Sequence, residues 1–285
     1  MEHFDILIIG GGAAGISAAK AAGDAKVLLA DRREELGGVL CQCAHRGFGR
    51  NQTGREYAAD LIRGLPETIT LAMNTTVLSV TREKTALLSG KEFGRREVSF
   101  SRLILASGCR EISAGALLIG GTRPKGIYTA GQMQERMNLH GFIPEGPAVI
   151  LGSGDLGLIM AGHLAERGIA VTVIERNAQC GAMARNQQVL KEYPITLICG
   201  DTIAEIQGYP NLTGCVTEQG RVIPCKTLLI AVGLRPEREL VAGLGDPEWL
   251  HICGNCDRIH PMVESVVQEG KQAGIAAYRK IRGSL

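Results

Sequence analysis

The sequence is poor in aromatic residues, which make up 4% of its 285 positions. It also lacks an excess of charge of either sign. Its 31 Lys and Arg meet 29 Asp and Glu, a formal net charge of +2. That balance gives no electrostatic footprint for nucleic acid or an anionic membrane surface. No stretch reaches the roughly 18 apolar residues of a membrane span. The start Met1-Glu2-His3-Phe4-Asp5 lacks the basic opening of a secretory leader, and Gly10-Gly11-Gly12 soon breaks the apolar run. These absences predict a cytoplasmic protein. The nine cysteines are odd in number and follow no regular framework, which argues against a secreted disulfide scaffold.

Apolar residues are plentiful at 45%, against 21% charged, and there are 38 glycines. This is the composition of a globular protein with a sizeable core, in one large domain or two ordinary ones. Glycine at this level, without a collagen period, implies many tight turns and close backbone approaches.

One local pattern occurs twice. Residues 5–9 form a short apolar run suited to a strand buried on both faces. Gly10-Gly11-Gly12-Ala13-Ala14-Gly15 follows in the form GxGxxG. An Ala-rich helix is predicted over 16–22, then a strand over 26–30 ending at Asp31. The second copy has a strand over 148–151 and the turn Gly152-Ser153-Gly154-Asp155-Leu156-Gly157. A helix over 158–167, stopped by Gly168, and a strand over 170–174 ending at Glu175 complete it.

The chemistry of dinucleotide binding asks for these residues at this spacing. The first glycine permits the turn, the second lets the backbone approach a pyrophosphate, and the third lets helix pack on strand. The helix start offers unpaired N–H groups and a positive dipole end. The acid about 20 residues on accepts hydrogen bonds from a ribose. A lone GxGxxG is equally a plain turn in a Gly-rich protein. Two copies, each with strand, helix and acid in place, point to two dinucleotide sites. Glu175 would repel a 2′-phosphate and so favours NADH over NADPH, while Arg176 beside it pulls the other way.

Further segments carry a family resemblance. Glu35-Leu36-Gly37-Gly38 looks like a Gly-Gly pair beside a flavin, and Leu103-Ile104-Leu105-Ala106-Ser107-Gly108 like an apolar strand ending in Ala-Thr-Gly. Leu228 to Pro236 looks like the strand closing a nicotinamide domain, and Ile252-Cys253-Gly254-Asn255 like a second flavin motif, usually Ala-Gly-Asp. With the two glycine turns, these segments resemble the FAD/NAD(P)-dependent pyridine nucleotide–disulfide oxidoreductase superfamily over nearly the whole chain. Residues 37–49, 53–58, 115–119 and 253–255 are similar to one branch of it. That branch comprises the flavoprotein subunits that accompany anaerobic glycerol-3-phosphate dehydrogenase-type and hydroxyproline dehydrogenase-type enzymes, with related subunits in hydrogen cyanide synthase.

The resemblance implies an α/β fold of two Rossmann-like dinucleotide-binding domains. The FAD domain is discontinuous, over 1–115 and 237–285, and the NAD(H) domain is inserted over 116–236. It also implies that the C-terminal dimerisation domain of the glutathione reductase group is missing. FAD would be bound by Gly10, Gly12, Ala13, Ala14, Gly15, Asp31, Arg32, Gly38, Val39, Gly108, Gly254 and Asn255. NAD(H) would be bound by Gly152, Gly154, Asp155, Leu156, Gly157, Glu175, Arg176 and Gly233. Electrons would pass to a substrate-oxidising flavoprotein and a small iron–sulfur or Cys-rich subunit. Two departures bear on the flavin: Asn255 stands where Asp is usual, and the stretch from Leu240 to Trp249 is shorter than in the branch.

Two residues are candidates for catalysis. The helix expected from about Met262 to Arg282 would point its N-terminus at the flavin. His260 just before it would either donate to the flavin edge or be a surface histidine flanking that helix. Cys43, with Cys41, is the nearest approach to a redox pair, because neither CxxxxC beside the flavin nor CxxC in the nicotinamide domain is present. A bridge across one intervening residue is hard to reconcile with disulfide geometry. The alternatives are therefore an electron-transfer subunit, a free-standing disulfide or thiol reductase using Cys41 and Cys43, and a scaffold subunit with a structural nucleotide. Cys253 and Cys256 form a CxxC at the second flavin motif, and no metal site is assigned to them.

Overall fold

The computed structural model describes residues 1–283 and divides them into two compact units. The first comprises residues 1–110 with the described residues from 235 onward, the second 111–234. The crossings lie earlier than the boundaries read from the sequence, at 110/111 rather than 115/116 and at 234/235 rather than 236/237. The cause is local. Glu111 accepts hydrogen bonds from Thr129 Oγ1 and from Gly131 N, the latter at 2.7 Å, so it belongs with the second unit. Ile112 N is bonded to Gly233 O there, whereas Glu237 N is bonded to Gly108 O in the first unit.

The first unit is built on a mixed sheet. Thr70–Ala72, Val27–Ala30, Glu2–Ile9 and Gly94–Leu105 lie side by side and parallel, and Leu250–Ile252 pairs parallel with the last of these. The start of Gly94–Leu105 also pairs antiparallel with Thr85–Gly90, which pairs antiparallel with Thr75–Val80. Val27–Ala30 is buried throughout, as a parallel strand covered on both faces requires. Helix Val263–Arg282 covers helix Ala13–Lys20 at very short range. A Cβ on Gly270 would collide with the Ala14 carbonyl oxygen, and one on Gly274 with that of Ala18. The stretch after Leu240 is held by Trp249, which is buried against Phe100 with ring centroids 5.5 Å apart.

The second unit has a five-stranded parallel sheet in the order Ile127–Thr129, Thr227–Ile230, Ala148–Leu151, Val171–Glu175, Thr196–Cys199. Helices Ala130–His140 and Asp155–Glu166 pack against it through Met133, Met137, Leu158, Met160 and Leu164. A four-stranded sheet of Gly120–Gly121, Ile203–Gln207, Gly214–Thr217 and Val222–Pro224 completes the unit. Among the described residues no helix is long and apolar enough to cross a membrane.

Both first helices begin three residues earlier than predicted, at Ala13 rather than Ile16 and at Asp155 rather than Leu158. The predicted starts follow the third glycines, Gly15 and Gly157, because glycine is a poor helix former. In the fold, Gly12 and Gly154 are extended N-cap residues, and the helix begins directly after them.

Candidate nucleotide sites

The two glycine turns have the same geometry. Gly10 and Gly152 have φ of +108° and +104°, a region that favours glycine. A Cβ on Gly10 would run into the Ala106 carbonyl, and one on Gly152 into that of Ala231. Side chains on the third glycines, Gly15 and Gly157, would strike the carbonyls of the first ones. The middle glycines differ. A Cβ on Gly12 or Gly154 would meet no described atom within 4 Å. Each turn is thus tightly determined on its protein side and open on its outer side, at the N-terminus of a helix. A pyrophosphate needs that combination of backbone access and unpaired N–H groups.

The acids are placed alike as well. Gly11 N donates to Asp31 Oδ2 at 2.5 Å, and Arg33 N to Oδ1 at 2.7 Å. In the second unit Ser153 N donates to Glu175 Oε2 at 2.9 Å, and Asn177 N to Oε1 at 2.9 Å. Glu175 receives two more donors, Ser153 Oγ at 2.6 Å and Asn177 Nδ2 at 2.8 Å. Burial alone would raise its pKa, but these hydrogen bonds outweigh it and hold the carboxyl below the usual glutamate range.

Other segments meet the first turn. Gly37 N donates to Gly11 O at 2.8 Å, and a Cβ on Gly38 would lie 3.1 Å from Gly12 Cα. A Cβ on Gly254 would come within 2.9 Å of Ala14 Cβ. The fold therefore gathers Gly12, Ala13, Ala14, Gly38 and Gly254, with Val39 exposed beside them. Arg32 is exposed and lies 3.7 Å from Glu237. Gly108 has φ +78° with open space around it. In the second unit Asp155 Oδ1 accepts from Met183 N at 2.8 Å and Asn186 Nδ2 at 2.6 Å, tying the loop after Glu175 to the turn. Arg176 is exposed after the strand Val171–Glu175, and Leu156 packs, partly buried, against the core of the unit. Gly233 closes the other side with φ +141°.

His260 is not a surface residue. Its side chain is 8% exposed, and Nε2 lies 2.9 Å from Glu269 Oε2. Glu269 also accepts from Gly254 N at 3.0 Å and from Arg258 Nη2 at 2.8 Å. Its burial would raise the pKa, yet these partners hold the carboxyl below its usual range. Asn255 turns inward too: its Oδ1 accepts from His260 N at 3.0 Å. Glu269 thus ties Gly254 to the last helix, and Asn255 and His260 brace the segment between them. Glu269 was not legible as a site residue, because it lies mid-helix in an otherwise ordinary charged face.

The cysteines are all free thiols. Cys43 is buried, donates to Val39 O at 3.3 Å, and has its pKa pushed up to about 12 by burial. Burial raises Cys41 as well, and its thiol donates to a different carbonyl, that of Leu36. A thiolate is the reacting form of cysteine, and burial disfavours it at both of these residues. Cys253 and Cys256 are buried and both donate to Leu105 O. Among the described residues no group of three or more His, Cys, Asp or Glu is placed to hold a metal ion.

The family model of the pyridine nucleotide-disulphide oxidoreductases matches residues 4–247. An opine oxidase subunit of Agrobacterium tumefaciens (strain Ach5) is 27% identical over 288 residues, covering 87% of this chain and 56% of that protein. The HcnB subunit of hydrogen cyanide synthase from Pseudomonas protegens is 27% identical over 203 residues, covering 68% of this chain and 43% of that protein. The chain therefore spans about half the length of these curated relatives. Lactococcus lactis thioredoxin reductase in its FR conformation superposes with a TM-score of 0.79 at 21% identity, covering 98% of this chain and 99% of that one. This likeness shows the fold.

Proposed function

The chain belongs to the pyridine nucleotide–disulphide oxidoreductase family, and on that premise we propose that it carries electrons from NADH through its own FAD to a separate partner subunit. The family's cofactors are FAD and NAD(P)H, and the enzyme is an FAD-dependent pyridine nucleotide oxidoreductase. The finer reading assigns FAD to the first unit, through Gly10, Gly12, Gly15, Asp31, Gly38 and Gly254. It assigns NADH to the second, through Gly152, Gly154, Gly157 and Glu175. The observation that carries it is the twofold recurrence of one cradle, with Gly12 and Gly154 open at the same place in each.

Bound together, the two cofactors supply hydride chemistry, and the chain supplies position and electrostatics. Gly12 and Gly154 leave room for the pyrophosphates, and the helix starts behind them offer N–H groups. Asp31 and Glu175 present carboxylates at the ends of the second strands. His260 acts here through Glu269 as a positioning residue, because its Nε2 lies 2.9 Å from that carboxylate.

The partner half of the proposal rests on two supports. The opine oxidase and hydrogen cyanide synthase relatives are by name subunits of larger enzymes. Cys41 and Cys43 are buried and turned to different carbonyls, which disfavours a free-standing disulfide reductase. The test has two parts. Protein reconstituted with FAD should be yellow and bleach anaerobically with NADH; no flavin absorbance would overturn the flavin assignment. Tagged protein isolated from its source cells should bring a second flavoprotein with it, and isolation of the chain alone would remove the partner.

A further inference from the structure

Asp31 and Glu175 occupy equivalent places, so the differences between them are informative. Each takes one main-chain N–H on each oxygen, from Gly11 and Arg33 in the first unit and from Ser153 and Asn177 in the second. Glu175 takes two side-chain donors besides, Ser153 Oγ on Oε2 and Asn177 Nδ2 on Oε1. Gly11 has no side chain with which to match Ser153. A carboxylate has about four acceptor positions. Those of Glu175 are thus filled by the chain itself, and the residue is 7% exposed.

A ribose diol would approach such a carboxylate with two hydroxyl donors. Ser153 and Asn177 already supply two side-chain donors, one on each oxygen. We infer that Ser153 and Asn177 stand in for the adenosine ribose of the coenzyme, filling Glu175 when the site is empty and yielding to the two hydroxyls when it is occupied. This rests on the reading that the second unit holds the nicotinamide dinucleotide. The two residues then determine specificity. A 2′,3′-diol replaces the side-chain donors one for one. A 2′-phosphate brings acceptors in place of a donor, and would leave the carboxylate facing an anion. The exchange also lowers affinity, since two hydrogen bonds must break before two form.

The two side chains differ in freedom. Asn177 is exposed, and its side-chain amide is held by Glu175 at the edge of the site. Ser153 is fully buried, and its Oγ also accepts from Gly181 N at 2.8 Å. Asn177 is therefore the partner that leaves first, and its removal disturbs the fold least.

Titration calorimetry on FAD-loaded protein tests this with NAD+ and NADP+, which cannot reduce the oxidised flavin. Asn177→Ala should bind NAD+ about fivefold more tightly, the scale of one hydrogen bond to a charged group partly offset by water. NADP+ affinity should stay the same or fall, so the ratio of the two dissociation constants widens. Ser153→Ala should shift the ratio in the same direction. A purely structural role for the side chains would move both coenzymes together. Unchanged or weaker NAD+ binding in both variants, with wild-type binding intact, would overturn the inference alone. Failure of the wild-type protein to bind either coenzyme would overturn the assignment of the second unit with it.

Discussion

The two units share a turn and differ in how they close it. Around Gly12 the closure is made by backbone. Gly37 bonds to the turn through its N–H, Gly38 lies tightly against Gly12, and Gly254, Gly270 and Gly274 approach the helix after the turn at distances that leave no room for a side chain. Around Gly154 the closure is made by side chains. Ser153, Asp155, Asn177 and Asn186 tie the 176–186 loop to the turn by hydrogen bonds. Close backbone packing cannot be loosened without separating helix from helix. Side-chain hydrogen bonds to a carboxylate exchange with a ligand at a small net cost. The first arrangement suits a nucleotide that stays, the second one that comes and goes.

The most severe way to break this comparison is to add one methyl group to the last helix. Gly270→Ala puts a Cβ into the Ala14 carbonyl and forces the helix Val263–Arg282 away from the first turn. Overpacking of this kind costs about 3 kcal/mol. Denaturant unfolding should show that loss, and the purified variant should carry far less FAD than wild type. Full flavin content at unchanged stability would mean that the close approach does not hold the site.

Next in size is a pair of substitutions at the open glycines. Gly12→Val and Gly154→Val each place a Cβ where no described atom lies within 4 Å, so the fold should survive each. Gly12→Val should abolish flavin absorbance. Gly154→Val should keep the flavin and lose at least about 100-fold in the rate of NADH bleaching at low coenzyme, roughly 2.7 kcal/mol of lost binding. Loss of flavin from Gly154→Val, or its retention by Gly12→Val, would reverse the assignment of the two units.

The contrast also explains what the sequence could reveal. The glycine turns and their acids were legible because everything they need lies within one short strand–turn–helix–strand segment. Gly10, Gly15, Asp31 and their counterparts can be identified from spacing alone. Glu269, Gly270 and Gly274 were not, because their partners Gly254, Ala14 and Ala18 lie on distant parts of the chain. Ser153 and Asn177 sat beside recognised residues, yet their roles depend on where two side chains point. His260 was legible as a residue of interest but not in its direction, since its partner is nine residues further along a helix. The crossing at Arg110 was missed for the same reason: the tie between Glu111 and Gly131 spans 20 positions.

A smaller effect is expected at Glu269, which serves only the backbone-closed unit. Glu269→Gln removes the charge that His260, Arg258 and Gly254 N share. A loss of about 2 kcal/mol at neutral pH is the scale for hydrogen bonds to a charged group. The sign of the pH dependence follows from the lowered pKa. The native carboxylate stays ionised where the unfolded one would take up a proton. Its contribution is therefore full above the ordinary value of 4.5 and disappears as pH falls through the lowered native value. Wild-type stability should decline through that acid range more steeply than that of Glu269→Gln. Parallel pH profiles would show that the network does not hold the carboxylate ionised.

The smallest effect should come from the thiols, and its smallness is informative. Cys41 and Cys43 lie between Gly37–Gly38 and the helix Gly54–Ile62, in the backbone-closed unit. Cys43 is buried with its pKa pushed up to about 12, and the Cys41 and Cys43 thiols donate to the Leu36 and Val39 carbonyls respectively. If they only fill space, Cys41→Ser and Cys43→Ser should leave FAD content intact and the rate of NADH bleaching within about twofold, because serine is slightly smaller and retains a donor for the Leu36 and Val39 carbonyls. If they formed a dithiol relay, either change would leave flavin reduction intact but abolish turnover with a disulfide substrate. The two accounts agree on flavin reduction and part at reoxidation. Rapid reoxidation of the reduced wild-type flavin by a small disulfide, lost in both variants, would make the first unit a thiol reductase. Slow reoxidation that neither variant alters would leave the electrons to a partner.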